Sequence, residues 1–181
     1  MRFLKATTAR QADFNCSEWS EVQANATRDQ VAGGRFVHDE YSADFVGDFE
    51  RAVEALLAYE IFAPHRMIAR VCTPAGRVAV GATIIQRLFL GPVSIESAVR
   101  VIEVDRTLDA ASFAYATLKG HPELGVASFA VRRAGTAVRF EAQAWSRAGH
   151  WLAALGRPIA RAIQRSITRE AVASFCKLAS K

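Results

Sequence analysis

The C-terminal segment of this chain has two chemically different sides, and this pattern limits what the rest of the chain can fold into. One side carries apolar residues at four-residue spacing: Ile159, Ile163, Ile167, Ala171 and Phe175. The other carries a basic stripe formed by Arg157, Arg161, Arg165 and Arg169. A residue of one stripe lies two positions from a residue of the other, as Arg161 and Ile163 do, which is about 200° around an α-helix. The two stripes therefore lie on opposite sides of the helix. A helix of this kind must bury its apolar side against another layer of structure.

The residues before this helix predict the second layer, an antiparallel sheet. Between 66 and 147 the apolar period shortens from about 3.6 towards 2, which is typical of strands. Turn signals such as Gly91-Pro92 and Ala134-Gly135 separate the apolar runs, so strands that follow one another are expected to pair. The predicted strands are 67–72, 77–88, 99–106, 112–118, 126–133 and 136–147.

The N-terminal part is predicted to contain helices. Apolar residues recur at helical spacing over 44–62, Asp48 and Glu50 favour the first turn, and Pro64 prevents the helix from continuing. A shorter helix is predicted over 17–31, ended by Gly33-Gly34. Residues 1–36 otherwise give the weakest signals. The terminal helices are predicted over 149–178, with a break at Gly156 and a new start at Pro158.

These elements predict a single domain over 1–181 of the α+β class. Its expected architecture is a curved antiparallel sheet of six to seven strands gripping a long C-terminal helix. The order of elements resembles the helix-grip fold of START and Bet v 1-like proteins, a likeness that concerns the fold alone.

Small side chains are expected to line the space between the sheet and the helix. The inward positions of the late strands are predicted to be Ala130, Ala142, Ala144 and either Ala114 and Ala116 or their neighbours. Alanines leave volume that larger side chains would fill, so we expect an apolar cavity of roughly several hundred cubic ångströms. In the alternative interpretation, Phe113, Phe129 and Phe140 fill the space.

Several motifs are similar to those of an uncharacterised family. Residues 113–125 read FAYATLKGHPELG, and they are followed by SFAV at 128–131 and FEAQAWSR at 140–147. The order and spacing resemble the domain of unknown function 1990, and the similarity covers most of 45–175. Ala116, Val126-Ala127 and Ala148 depart from the glycine, the paired glutamates and the proline that are usual in that family. The resemblance implies a fold and no established reaction.

One polar group carries the candidate chemistry. His121 lies in a turn between Gly120 and Pro122, and Glu123 follows two residues later. With Tyr115, they are the candidate catalytic residues of an acid–base pair, while Arg147 can orient Glu123 or bind an anionic group. In the alternative interpretation, His121 and Glu123 only bond loop backbone. The candidate ligand-binding residues are Tyr115, His121, Phe140, Trp145 and Arg147, with Trp145 either at a cavity rim or packed under residues 150–155.

Other kinds of site have little support in the sequence. The histidines are scattered and no CxxC or HxxxH motif occurs, so no metal site is expected. Phosphate-loop, dinucleotide and nucleophile-elbow motifs do not occur either, and no cofactor is expected. Three cysteines without a close pair, Cys16, Cys72 and Cys176, predict reduced thiols in a cytoplasmic protein. No apolar run reaches the length of about 18 residues that a transmembrane helix needs.

The function predicted from these observations is a cytoplasmic binding module for a small apolar or amphipathic ligand. The first alternative is an enzyme on the same fold that uses His121 with Glu123 or Tyr115 for acid–base chemistry. The second is binding of an anionic surface by the basic C-terminal helix, which accounts for much of the net charge of +5. Nucleic acid is not an expected partner, because no aromatic residues interleave the basic stripe. A homo-oligomer is also compatible with the sequence.

Overall fold

A computed structural model describes residues 1–25, 27, 31, 36–148 and 157–180. The described strands are β1 (Arg2–Lys5), β2 (Val37–Phe45), β3 (Met67–Val71), β4 (Thr83–Leu90), β5 (Val93–Arg106), β6 (Ala110–Thr117), β7 (Glu123–Ala134) and β8 (Ala137–Ala148). The named helices are α1 (Ala6–Gln11), α2 (Ser17–Ser20), α3 (Phe49–Leu57) and α4 (Arg157–Ala179).

The strands form one antiparallel sheet in the order β2-β8-β7-β6-β5-β4-β3, and β1 pairs with the first residues of β5. Strands β3 to β8 follow one another in the chain and pair in sequence, as the short turns predict. Helices α3 and α4 pack on one side of this sheet. The predicted α+β class with a helix-grip architecture is therefore confirmed. Strands β1 and β2 were not predicted.

Alternation along β8 divides its residues between the two faces of the sheet. Phe140 and Ala142 belong to the main core beside the helices, with Ala144 packed against it. Trp145 pairs with Val126 of β7 and packs in a separate cluster on the other face. We call the helix-covered side the inner face and the opposite side the outer face.

Helix α3 is shorter than the predicted span of 44–62 for two local reasons. The carboxylate of Asp48 accepts a hydrogen bond from the backbone N–H of Arg51 at 2.8 Å, which is an N-cap that fixes the start of the helix. Residues 44 and 45 belong instead to β2. At the other end Tyr59 adopts a left-handed backbone conformation with φ 61°, which directs the chain away from the helix axis.

The N-terminal segment covers the outer face of the sheet. Trp19 is buried there against Ile85, Ala98 and Leu118. The predicted helix over 17–31 is wrong for residues 21–25, because the chain leaves the helix after Ser20 and Ala24 forms a β-bridge with Leu118. Backbone pairing with a strand end provides the hydrogen bonds that a continued helix would have made. Residues 26 and 28–30 lie outside the described residues, and Val31 is helical.

Two arginines from the outer face hold this segment by its backbone carbonyls. Arg87 is only 2% exposed, and its guanidinium donates to the carbonyl oxygens of Ala9, Ala12 and Asp13. It also forms an ion pair with buried Glu96 at 2.7 Å. Arg100 donates in the same way to the carbonyl oxygen of Trp19 at 3.0 Å. The segment is therefore held on the sheet through its backbone, although most of its side chains are exposed or half-buried.

A disulfide between Cys16 and Cys72 joins the N-terminal segment to the end of β3. The prediction that these two cysteines are reduced thiols is wrong, because the fold brings their Cα atoms to 5.7 Å although 56 positions separate them in the chain. Cys176 is a free thiol, as predicted. The predicted cytoplasmic location rested in part on unpaired cysteines, and the disulfide removes that part of its support.

Helix α4 lies across the inner face with its apolar side inward. Ala171 and Phe175 are buried and Phe175 stacks on Phe140 with ring centroids 4.2 Å apart, while Arg165 and Arg169 are exposed on the opposite side. The prediction for 149–156 and for the side chains of Arg157, Ile159, Arg161 and Ile163 lies outside the described residues. Within the described part of the chain, none of the helices has the length and hydropathy needed to cross a membrane.

Glu170 anchors α4 to the edge of the sheet. Its carboxylate accepts from Arg66 at 2.6 Å and forms a second contact, also at 2.6 Å, with His65. The Arg66 guanidinium lowers the pKa of Glu170. This contact fixes the helix just where Thr168 and Ala171 border the site described next.

Candidate functional site

A cavity of about 170 Å³ lies between α4 and the inner face of the sheet and is partly open to solvent. Most of its walls are apolar, and the described apolar residues around it include Phe62, Met67, Leu88, Leu90, Ile95, Val126, Ala127, Phe129, Ala142, Ala144, Ile167 and Ala171. Polar side chains enter at a few places: Asp39, Gln86, Ser97, Tyr115, Thr117, His121, Glu123, Ser146 and Thr168. Apolar walls with a few polar groups are typical of small-molecule sites.

The cavity exists because large and small side chains are segregated along the sheet. Phe113, Phe129 and Phe140 form a row of neighbouring rings across the inner face, and Phe140 meets Phe175 of α4. Ala127, Ala142 and Ala144 lie under the part of α4 that carries Ile167 and Ala171. The alanines leave a cavity and the phenylalanines fill other parts of the inner face, so each interpretation of the sequence holds for part of this space. The cavity of about 170 Å³ is smaller than the several hundred cubic ångströms that we expected.

Three of the alanines considered for the inner face lie on the outer face. Ala114 pairs with Ser128, Ala116 with Val126 and Ala130 with Glu141, all at outward positions of their strands. Their neighbours Phe113 and Tyr115 face inward, which is the second of the two alternatives offered for β6. For Ala130 the prediction is wrong, because Phe129 faces inward and successive residues of a strand face opposite sides of the sheet.

A hydrogen-bonded group of three side chains lies beside the cavity: Tyr59 and Gln86 are buried and Tyr115 is half-buried. The amide of Gln86 donates to the hydroxyl oxygen of Tyr59, and Gln86 and Tyr59 also bond the hydroxyl of Tyr115. Burial raises the pKa of Tyr115 to about 12, and it also raises the pKa of Tyr59. Both phenols are therefore protonated at neutral pH. The left-handed backbone of Tyr59 is stabilised by the hydrogen bond from Gln86 and by the packing of the Tyr59 ring on Phe113 and Phe62.

His121 lies in the turn between β6 and β7 and borders the cavity. The turn is closed by a bond from the His121 N–H to the Leu118 carbonyl at 2.9 Å, and Gly120 takes a φ of 92° that other residues rarely adopt. The ring nitrogen Nδ1 lies 3.0 Å from both the backbone nitrogen and the backbone oxygen of Glu123. This fixes the orientation of the imidazole relative to the turn.

The same contacts indicate which nitrogen carries the proton. If Nδ1 were protonated, its hydrogen would oppose the Glu123 N–H at 3.0 Å, and the hydrogen bond from that backbone donor to the ring would be lost. A backbone carbonyl has two lone pairs, so losing one donor costs it less free energy than a backbone N–H loses with its acceptor. We therefore assign the tautomer in which Nδ1 accepts and Nε2 carries the hydrogen. Burial, with a smaller contribution from the N-terminal ammonium group, lowers the pKa of His121 to about 4. The imidazole is then a neutral hydrogen-bond donor at pH 7 and has no free basic nitrogen.

This burial predicts a pH dependence of stability. Above pH 6.5, His121 is neutral in both the folded and the unfolded chain. Between the unfolded pKa of 6.5 and the folded value of about 4, the unfolded chain binds a proton that the folded chain does not, so stability falls as the pH falls. We expect His121 to contribute a loss of about 2 kcal/mol between pH 7 and pH 5.

The measurement is the difference in urea-unfolding free energy between the parent and His121→Asn at each pH. Asparagine can accept from the same backbone N–H two residues on, so it keeps the turn while removing the titrating group. The carboxylates with lowered pKa values, Asp44, Glu54 and Glu170, are common to both proteins and cancel. Parallel stability curves for the two proteins between pH 7 and pH 5 would contradict the prediction.

The N-terminal segment supports the His121 turn from outside. Lys119 donates its backbone N–H to the carbonyl of Gln23 at 3.0 Å, and the side-chain amide of Asn25 donates to the carbonyl of Leu118 at 3.0 Å. Thr117, which borders the cavity, bonds Asn25 and also accepts from the backbone N–H of Gly125. These contacts connect the outer cover of the sheet to the cavity wall.

The other candidate residues lie away from the cavity. Trp145 stacks on His38 at the outer face, with ring centroids 4.6 Å apart, and the guanidinium of Arg147 lies over the ring of Phe36 at 5.3 Å. Phe140 is fully buried under Phe175. The structure thus brings Tyr115, His121 and Glu123 together at the cavity and places the other three elsewhere. Residues 150–155, under which Trp145 was expected to pack, lie outside the described residues.

Sequence reasoning missed Tyr59, Gln86 and Asp39. Gln86 left a signal, because it is a polar residue in the middle of the apolar run TIIQRLFL. Asp39 belongs to a strand that was not predicted. Tyr59 gave no signal, since its position depends on a left-handed residue after a helix.

The chain is similar to one protein family over most of its length. A family model described as Domain of unknown function (DUF1990) matches residues 19–174. No curated protein matches the sequence. The family match agrees with the motifs in 113–147 that carry the resemblance.

Solved structures are similar in fold at low sequence identity. A hypothetical protein from Helicobacter pylori has a TM-score of 0.63 at 13% identity, with 94% of this chain and 100% of that chain covered. The major latex-like protein 151 of Panax ginseng has a TM-score of 0.54 at 14% identity, covering 77% and 97%. The protein Ara h 8.0201 has a TM-score of 0.56 at 6% identity, covering 78% and 96%. These likenesses support the Bet v 1-like fold alone.

Proposed function

The chain belongs to the DUF1990 family, and we propose that it is a binding module for small apolar or amphipathic molecules. The ligand would occupy the cavity between the sheet and α4. Of the predicted ligand-binding residues, Tyr115 and His121 would contact it. The candidate catalytic residue Glu123, Gln86 and the alanines of β7 and β8 would complete the contacts.

The observation that carries this proposal is the cavity itself. Protein interiors are normally packed without voids of this size, and here Ala127, Ala142 and Ala144 leave space that the phenylalanines of the same strands fill elsewhere. An apolar protein cavity of about 150 Å³ holds one benzene molecule. A volume of 170 Å³ therefore admits a ring-sized group, and the partial opening leaves room for a substituent.

The polar groups favour binding over acid–base catalysis. Tyr115 is protonated, with a pKa of about 12, and His121 is neutral with Nδ1 engaged by its own turn. A general base needs a free basic nitrogen or a carboxylate with a pKa near the working pH. The enzyme hypothesis would need the His121 contacts to change when a substrate binds.

Filling the cavity is expected to abolish ligand binding. Ala144 is half-buried beside the cavity, so Ala144→Phe places a phenyl ring in the space without displacing neighbouring strands. We expect ethylbenzene to give saturable amide chemical-shift changes in the ¹⁵N-labelled parent. We expect its affinity to fall by at least tenfold in Ala144→Phe, which is about 1.4 kcal/mol.

Ser42→Phe is the matched control. Ser42 is exposed at an outward position of β2, the strand next to β8, so this variant adds the same ring on the other face. Its ethylbenzene affinity should equal that of the parent. If folded Ala144→Phe, judged by its amide spectrum, binds ethylbenzene as well as Ser42→Phe does, the proposed site is wrong.

A further inference from the structure

We propose that the cavity selects an uncharged molecule whose carbonyl oxygen accepts a hydrogen bond from Nε2–H of His121. The chemical class is a ketone, aldehyde, ester or amide attached to a ring-sized apolar group. This inference rests on the proposed function and adds to it the chemistry of the ligand.

The first observation is the direction in which His121 can donate. Nδ1 is 3.0 Å from the Glu123 backbone nitrogen and is engaged there. Nε2 is therefore the polar atom that the ring can offer to the cavity it borders. Among the described residues, no hydrogen-bond acceptor is paired with Nε2. A positioned N–H at the wall of an apolar cavity favours a ligand that brings an acceptor, since an unpaired donor is costly to bury.

The second observation is that Tyr115 offers another donor at the same wall. Its hydroxyl oxygen accepts from Gln86 and Tyr59, so its own O–H hydrogen is not used in those two bonds. Tyr115 and His121 both lie close to Glu123, which raises the pKa of Tyr115 by its negative charge and whose backbone holds the imidazole. A carbonyl oxygen has two lone pairs and can accept from two donors.

The third observation concerns charge. Glu123 and Asp39 border the cavity, and the effect of Glu123 on Tyr115 shows that its negative charge reaches the cavity wall. The N-terminal ammonium group, which lowers the pKa of His121, is a nearby positive charge, but Met1 does not border the cavity. An anionic ligand would therefore meet the carboxylates at the wall and would have to lose its hydration shell on entering apolar surroundings. The site therefore disfavours carboxylates such as fatty acids and favours neutral acceptors.

The test compares three probes of similar shape: acetophenone, ethylbenzene and benzoate. Their affinities are measured by amide chemical shifts for the parent, His121→Asn and His121→Gln. The decisive quantity is the ratio of acetophenone to ethylbenzene affinity within each protein. This ratio removes the difference in hydrophobicity between the probes, because that difference is common to all three proteins.

We expect the ratio to fall by about threefold to tenfold in His121→Asn, which keeps the turn acceptor and loses the Nε2–H donor. We expect His121→Gln, whose amide nitrogen can reach towards the Nε2 position, to retain part of the ratio. Benzoate should bind the parent at least tenfold more weakly than acetophenone. A direct readout is the His121 side-chain ¹⁵N–¹H correlation, which should show Nε2–H and should shift with acetophenone but not with ethylbenzene.

The outcomes separate this inference from the proposed function. If ethylbenzene binds and Ala144→Phe blocks it, but the ratio is unchanged in His121→Asn, the carbonyl assignment is overturned and the binding module stands. A proton on Nδ1 of His121 would also overturn it. If none of the three probes binds the parent, the proposed function itself fails.

Discussion

Replacing Arg87 with alanine is expected to lower the free energy of unfolding by about 3–5 kcal/mol, because removing one partner of a buried ion pair leaves the other charge poorly compensated. Glu96 would keep the longer contact with the half-exposed Arg2 at 3.8 Å. Arg87 and Glu96 are 2% and 3% exposed, and their side chains pair at 2.7 Å. The same guanidinium donates to the carbonyls of Ala9, Ala12 and Asp13. The substitution therefore removes both the ion pair and the attachment of the N-terminal segment.

Urea unfolding measures this effect, with Arg70→Ala as the matched control. Arg70 lies on neighbouring β3 and is exposed, so its loss should change stability by less than about 0.5 kcal/mol. Arg87→Met combined with Glu96→Leu should recover part of the loss, since no buried charge is then left alone. An Arg87→Ala protein within 1 kcal/mol of Arg70→Ala would show that the N-terminal segment is not held in this way.

Removing the Cys16–Cys72 disulfide is expected to lower the free energy of unfolding by about 4 kcal/mol, mainly because the unfolded chain gains freedom. The cross-link joins positions 56 apart in sequence and fastens the segment that carries Trp19 to the end of β3. The variant is Cys16→Ser combined with Cys72→Ser. Cys176→Ser is the control, because Cys176 is a half-buried free thiol whose loss leaves the cross-link in place.

The state of the cysteines can be read independently of stability. Alkylation of the chain unfolded in denaturant without reductant should modify one of its three cysteines, and reduction beforehand should raise this to three. The modified residue in the first case should be Cys176. Three modified cysteines without reductant would restore the original prediction of free thiols and remove the basis of the stability prediction.

The sheet and the terminal helix could be predicted because their patterns are local. Alternation in β8 separates Phe140 and Ala142 from Arg139 and Glu141, and it also places Trp145 and Arg147 on the outer face. The alternation along the strand therefore already predicted that these two candidate ligand-binding residues face outward, away from the cavity.

The cover on the outer face could not be predicted, because it depends on contacts between distant parts of the chain. Arg87 and Arg100 bind carbonyl oxygens, which every residue has, so the sequence of the bound segment carries no matching signal. Cys16 and Cys72 come together only when β3 and the N-terminal segment are placed. Tyr59 joins Gln86 and Tyr115 for a similar reason, through one left-handed residue at the end of α3.

A crystal structure of the protein exposed to bromobenzene tests the central claim most directly, because bromine can be located by its anomalous scattering. The account predicts a bromine position between the sheet and α4, within contact distance of Ala144 and Ile167, and its loss in Ala144→Phe. No bromine at that position, or a bromine on the outer face alone, would contradict the claim that the space under α4 is a binding site.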